Sequence, residues 1–250
     1  MVKTRFPRKL VGSSERPANN LLRHLANRDY GLISSLIEPI DLAPNVLLYN
    51  SGDELDTLYF PAGPSLASFV LSLEDGRDVQ ALLVGREGVI GGAANRSRLA
   101  QARIVVKVGG PFYRLRASKF EAARRQSQSF LEVFARYADC VLAQAFQSTA
   151  CNAAHSIEQR AAKWILATME RTGEKSVPLT HEQLATMLGV GRSYASRVLQ
   201  AFKAAGILET RRGSIVVRDR HGLYARSCDC NAWLRRYFDE VLSGVYPKLA

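Results

Sequence analysis

The chain has 250 residues, enough for one large or two modest domains with real cores. Its 34 Lys and Arg against 23 Asp and Glu give a formal charge of +11, a balance that favours a polyanionic partner, either nucleic acid or an acidic membrane surface. No apolar run approaches the roughly 20 residues that span a bilayer, the basic opening residues lack the apolar stretch of a secretory signal, and four Cys make no disulfide-rich scaffold, so a reducing cytoplasm and no membrane are expected.

Residues 1–20 hold Lys3, Arg5, Arg8 and Lys9 together with Gly12, Ser13, Ser14 and Pro17, and read as a flexible basic lead. A short helix is expected over Leu21 to Leu36. From Ile40 to Leu115 the texture changes to short apolar runs: Val46 to Tyr49, Leu58 to Phe60, Leu66 to Leu73, Val79 to Val84, Ile104 to Val108 and Phe112 to Leu115. Turn signals such as Asn50-Ser51-Gly52-Asp53, Glu74-Asp75-Gly76 and Gly109-Gly110-Pro111 separate them. Many short strands at even spacing predict an antiparallel sandwich or barrel.

A long helix is predicted over 118–151. Phe130, Phe134, Tyr137, Val141 and Ala145 recur at three- and four-residue steps, with Ala138 and Leu142 in a neighbouring stripe. So wide an apolar face covers one domain and leaves a seam for a partner helix, and these seven residues are the expected dimerisation surface. A further amphipathic helix spans about Ser156 to Arg171, with Ile157, Ala161, Trp164, Ile165 and Thr168 inward.

Residues 179–214 carry the most specific pattern, LTHEQLATMLGVGRSYASRVLQAFKAAGILETRRGS. Thr180 can cap a helix, because its hydroxyl can accept from an unpaired first-turn amide. Leu184, Ala185 and Leu188 share a face, and Gly189 suits the sharp turn that follows. Ala195, Val198 and Leu199 then form the inner side of a second helix, while Arg192, Ser193, Tyr194, Ser196, Arg197 and Gln200 lie outward. Small apolar residues behind and hydrogen-bond donors in front describe a helix built to enter a DNA major groove. Gly213-Ser214 turns between Leu208-Glu209-Thr210 and Ile215-Val216-Val217, a β-wing with Arg211 and Arg212 at its tip. A last helix over about Asp229 to Leu242 carries Trp233, Leu234, Tyr237, Phe238 and Val241 on its apolar side.

A β-barrel, a long helix and a winged helix-turn-helix occur in this order in the Crp/Fnr family of bacterial transcription regulators, which the sequence resembles over nearly its whole length. NSGDELDTLYFPAGPSLASFVLSLEDGRDVQALLVGREGVIGG is similar to the family's barrel, and CNAAHSIEQR (151–160) to the segment that opens its DNA-binding domain. The resemblance implies an α+β fold: an N-terminal double-stranded β-helix (cupin-like jelly-roll) barrel of cyclic-nucleotide-binding type over 21–117, a dimerisation helix over 118–151 and a winged helix-turn-helix domain over 152–250. It implies a homodimer on double-stranded DNA, with RNA polymerase as a further partner and an effector the sequence does not name. Arg192 and Arg197 match DNA-contacting positions, and Ser193 stands where many members have Glu, which alters the expected half-site preference.

The resemblance also marks departures. Gly92, within Ile90-Gly91-Gly92-Ala93-Ala94, stands where members that bind cyclic AMP have a Glu. Ala100-Gln101 stands where they have an Arg-Ser pair, although Arg96, Ser97, Arg98 and Arg103 lie nearby. Cyclic AMP binding is therefore not expected. No Cys precedes Cys140 to hold an iron–sulfur cluster as in the family's oxygen sensors, and neither His nor Cys occurs over 40–120 to ligate haem. No cofactor is expected.

The residues expected to meet DNA are thus Thr180, His181, Arg192, Ser193, Tyr194, Ser196, Arg197, Lys203, Arg211 and Arg212. The arginines can each pair with guanine or hold phosphate, the helix start at Thr180 and His181 can meet a phosphate, and Lys203 and the wing arginines address the backbone. No metal site is expected: His181 has no second ligand at a suitable spacing, and no second pair completes a zinc site with Cys228 and Cys230. Those two thiols could respond to oxidation, while two reduced Cys beside a helix start is the plainer account. Cys140 and Cys151 read as small core residues. An alternative, a cupin-type barrel enzyme with an accessory helical domain, is disfavoured because such enzymes use several His.

Overall fold

The structure, a computed structural model, describes residues 16–76, 78–92 and 99–247. Lys3, Arg5, Arg8, Lys9, Gly12, Ser13 and Ser14 of the basic lead, and Ala93, Ala94, Arg96, Ser97 and Arg98, lie outside the described residues.

The chain is anchored before residue 20. Asn19 is fully buried; its amide donates to Pro61 O and Gly88 O, and its side-chain oxygen caps helix α1 (Asn20–His24) through Leu22 N. Arg16 lies over the Tyr30 ring and donates to Leu22 O and Asn27 Oδ1. The expected helix over 21–36 is two short ones, α1 and α2 (Asn27–Gly31).

Seven strands follow among the described residues: β1 (Glu38–Leu42), β2 (Leu47–Tyr49), β3 (Thr57–Pro61), β4 (Leu66–Ser72), β5 (Asp78–Val84), β6 (Arg103–Val108) and β7 (Gly110–Arg116). They form two antiparallel sheets, ordered β1-β7-β3 and β2-β6-β4-β5. Among the described residues the ladders do not close into a single ring; Tyr59 and Ile90 form one isolated bridge. Leu42 and Phe112 from one sheet and Tyr49, Ala67, Val84, Ile104 and Val106 from the other share one core, as alternating side chains of facing sheets do.

The long helix predicted over 118–151 is broken. Helix α3 (Ala117–Gln126) ends at Ser127, whose extended backbone (φ −142°, ψ 120°) starts α4 (Gln128–Ala154). The Ser127 hydroxyl accepts from Phe130 N, and both Ser127 and Ser129 donate to the buried Asp29 carboxylate at 2.6 and 2.7 Å. The break lets α3 fold back, so that Phe120 meets Phe130 and Phe134 with ring centroids 5.4 and 4.7 Å away.

The second half contains α5 (Ile157–Thr172), β8 (Ser176–Val177), α6 (His181–Leu188), α7 (Arg192–Ala204), β9 (Leu208–Arg211), β10 (Ser214–Val217), α8 (Arg220–Arg226) and α9 (Cys230–Val241). A capping box of Ser156 and Gln159 starts α5, and Gly173 ends it in the left-handed conformation. This half does not stand apart. Leu66 and Leu83 of the sheets pack with α5 and α6, and Leu242, Val245 and Tyr246 after α9 return to the core of α1, α3 and α4.

A buried polar network joins the halves. The Arg171 guanidinium on α5 donates to Glu87 at 2.8 Å, with the two side chains 1% and 3% exposed. Arg171 also donates to Tyr246 Oη (3.0 Å) and Ala167 O (3.3 Å), and Tyr246 donates to Glu170 at 3.3 Å. Arg235 and Tyr224 donate to the same Glu170 carboxylate. Burial opposes the charge on Arg171, but Tyr246, Glu87 and Glu170 outweigh it and hold the guanidinium more firmly protonated than usual. Glu87 sits in the turn Gly85-Arg86-Glu87-Gly88, where glycine is required by close approach. A Cβ on Gly88 would lie 2.1 Å from the Tyr137 hydroxyl, which itself bonds the Val89 backbone.

Glu87→Ala leaves a buried guanidinium without its carboxylate, at an expected cost of about 3–5 kcal/mol. Urea denaturation should show a lowered midpoint, and a wild-type midpoint would refute the importance assigned to this pair.

Candidate nucleic-acid interface

Helix α6 begins at Thr180, whose hydroxyl accepts from Gln183 N (3.1 Å) while Gln183 Oε1 accepts from Thr180 N (2.8 Å). It ends at Gly189 in the left-handed conformation (φ 68°, ψ 34°), which turns the chain into α7 without the steric cost a Cβ would impose. Leu184, Ala185, Met187 and Leu188 of α6 and Ala195, Val198, Leu199 and Phe202 of α7 are buried. Val190 plugs the turn between them against this core.

The opposite side of α7 is open. Arg192, Ser193, Tyr194, Arg197, Gln200 and Lys203 are exposed. Its N-cap is Gly191, so no side chain caps the first turn. The Arg197 guanidinium lies over the Tyr194 ring at 5.1 Å, which orients it along the helix face. Arg192 stands 3.9 Å from Glu182, and with both side chains more than two-thirds exposed the pairing is weak and easily exchanged for phosphate.

Ser196 is placed differently from its neighbours. It is half-buried, and its Oγ lies 2.8 Å from His181 Nδ1. These two side chains therefore link α6 to α7 beside the apolar core the two helices share.

Strands β9 and β10 form the wing, pairing in register from Ser214 opposite Arg211 to Val217 opposite Leu208, with β8 on the outer side of β10. Gly213 (φ 77°) makes the tight turn. Arg211 and Arg212 are exposed there. Glu209 on the same strand accepts from Arg218 at 2.7 Å, and that hydrogen bond holds its carboxyl below the usual range. The sequence pattern did not single out Arg218, whose partner is set by the wing's register.

The residues expected at a dimer seam differ in burial. Phe130, Phe134 and Tyr137 are buried in the chain's own core, and Val141 packs partly against it. Ala138 and Ala145 are half-buried. Leu142 is 53% exposed, and Phe146, one turn further along the same stripe, is 67% exposed. Helix α9 packs beside α4 and adds Trp233, exposed and stacked on Tyr237 at 5.4 Å. Leu142, Phe146, Trp233 and Tyr237 line one shallow groove. The four-residue step from Leu142 was the available signal for Phe146.

In the sheet half, Gly92 lies against Leu55, Ala100 is buried and Gln101 is exposed, and Arg103 is paired with Asp78 across β5 and β6. The cysteines depart from expectation. Cys228 and Cys230 meet Cys151 and His155 from the end of α4, and the four donor atoms lie within 4.8 Å of one another. Sequence spacing offered no further donors to Cys228 and Cys230, and the fold brings Cys151 and His155 to them. The missing pair comes from more than 70 residues upstream, a distance at which sequence spacing carries no signal.

Residues 159–226 match the model of the Crp-like helix-turn-helix domain. No curated protein matches the chain. Among solved structures it is similar to FixK2 from Bradyrhizobium japonicum (TM-score 0.66, 17% identity, 77% of this chain and 98% of that one). It is similar also to the c-di-GMP-responsive global regulator CLP of Xanthomonas campestris (TM-score 0.62, 16% identity, 77% and 99%). A CRP-family transcriptional regulator from Thermus thermophilus gives a TM-score of 0.62 at 19% identity, over 84% and 100%. None of the helices in the described residues is long and apolar enough to cross a membrane. Residues 159–226 are thus a Crp-like helix-turn-helix domain, set in a chain with the fold of the Crp/Fnr-family transcriptional regulators.

Proposed function

We propose that the protein is a homodimeric, sequence-specific DNA-binding transcription regulator that reads an inverted repeat. The observation that carries this is α7: a buried apolar back and an open face of Arg192, Ser193, Tyr194 and Arg197. Such a helix fits a major groove, where an arginine can donate two parallel hydrogen bonds to guanine. Thr180 with the first turn of α6, Lys203, Arg211 and Arg212 address phosphates and set the register. His181 and Ser196 act by holding α6 against α7.

One helix in one groove makes few base contacts. Two such helices about 34 Å apart read a two-fold symmetric site and roughly double the interaction energy. The groove of Leu142, Phe146, Trp233 and Tyr237 supplies the seam in this proposal, continuing the stripe that Ala138 and Ala145 flank. The two sheets act as a jelly-roll sensor of the cyclic-nucleotide-binding type that does not take cyclic AMP, since Gly92 and Ala100-Gln101 offer neither a carboxylate for the ribose nor an arginine for the phosphate. Contact with RNA polymerase in the cytoplasm completes the reading.

Arg197→Ala should lose at least tenfold in affinity for a duplex recovered with the wild-type protein, while keeping its salt-sensitive binding to unrelated DNA. Fluorescence anisotropy at fixed salt measures both, and unchanged discrimination would remove Arg197 from base reading. Phe146→Asp places a charge in the seam and should give monomers by sedimentation velocity with weakened DNA binding. A Phe146→Asp dimer of wild-type stability would place the seam elsewhere.

A further inference from the structure

Where α4 ends, Cys151 lies in the last turn and His155 is the C-cap, its backbone N donating to Cys151 O at 3.1 Å. Cys228 lies in the short link after α8, and Cys230, beyond Asp229, is the first residue of α9. The Cys151 and Cys228 sulfurs are 3.7 Å apart, and Cys230 Sγ is 3.5 Å from His155 Nδ1. Zinc holds sulfur at about 2.3 Å and imidazole nitrogen at about 2.0–2.1 Å in a tetrahedron, whose edges are then about 3.7 Å between sulfurs and about 3.5 Å from sulfur to nitrogen. These two separations match those edges, and all four donor atoms lie within 4.8 Å of one another.

The surroundings suit a metal thiolate centre. All three sulfurs are buried, and together they form a cluster of their own, separate from the apolar cores. Gln147 Nε2 donates to Cys230 Sγ at 3.1 Å, the support an outer side chain gives a coordinated thiolate. Three thiolates and a neutral imidazole around a divalent ion leave one negative charge. The buried cations Arg160 and Lys163 lie close enough to Cys151 to offset it.

We propose that Cys151, His155, Cys228 and Cys230 bind one zinc ion. Sulfur donors select against magnesium and calcium, and a span of 4.8 Å accommodates a single ion and not a polynuclear iron–sulfur cluster. With four protein ligands no position remains for a substrate, so the site is structural. Its ligands come from the end of α4, from the α8–α9 link and from the first residue of α9, so the ion clips α4 to the proposed DNA-reading half at the point where the chain passes between them. Binding releases the thiol protons to solvent and changes no oxidation state.

The test is metal content and cobalt spectroscopy on the full-length protein, purified under reducing conditions. Elemental analysis should find about one zinc per chain. Replacement by cobalt should give the intense visible bands of a tetrahedral ion with a near-ultraviolet thiolate charge-transfer band, both lost when zinc is added back. Cys228→Ser should lose the stoichiometric zinc, His155→Cys should keep it because it preserves four donors, and Cys140→Ser should be unaffected. Stripping the zinc should lower Tm. Folded wild-type protein that holds no zinc and gives only a weak octahedral cobalt spectrum would overturn the proposal. So would a Cys228→Ser variant with full zinc content, or a Cys151–Cys228 disulfide in the reduced preparation.

Discussion

The buried pair of Glu87 and Arg171 is the constraint on which the arrangement of this molecule depends. Glu87 belongs to the turn after β5 and Arg171 to the last turn of α5, so one ion pair spans the sheet half and the DNA-reading half. Removing both charges from water costs several kcal/mol per ion, and their attraction repays this only with good geometry and further hydrogen bonds. Here Gly85 N supports the carboxylate, and Tyr246 and Ala167 take up the guanidinium. The net gain in stability is modest; the larger consequence is register. Any other seating of α5 against the sheets would leave an uncompensated buried charge.

That register reaches the DNA-reading surface. Helix α5 is buried along almost its whole length and is the element on which α6, α7 and α8 pack. Arg160, near its start, donates to Leu188 O at the end of α6, so the ladder from Glu87 through α5 to the turn before α7 is continuous. Glu170, next to Arg171, draws Tyr224 of α8, Arg235 of α9 and Tyr246 into the same network. The position of α7 relative to the sheets is thus set by polar contacts as well as apolar packing. The Gly85–Gly88 turn and α7 are thus connected through buried polar contacts along α5.

What the sequence made legible was local. Thr180 and Gly189 bracket α6, Gly213 turns the wing, and the apolar runs from Val46 to Leu115 locate six strands, because each depends on residues within a few positions of one another. What it hid depended on distant partners. The break at Ser127 is held by Asp29, about a hundred residues upstream. Phe130, Phe134 and Tyr137 show helical periodicity, but periodicity says that a face is covered and not by what; α3 and the returning C-terminal segment cover it, which leaves Leu142 and Phe146 outward. Its place on the helix puts Ser196 with the outward donors, whereas its hydroxyl lies 2.8 Å from His181 Nδ1 across the turn. The union of Cys151 and His155 with Cys228 and Cys230 is written in no local spacing.

The central claim is that two copies of α7, presented in a fixed mutual arrangement, read a symmetric DNA sequence. Selection of bound sequences from random duplexes tests it most directly, using the purified full-length protein without added ligand at one stated salt concentration. The account predicts enrichment of a two-fold symmetric site whose half-site centres lie about one helical turn, ~34 Å, apart. Salt-sensitive binding with no enriched sequence, which phosphate contacts alone would give, would contradict it.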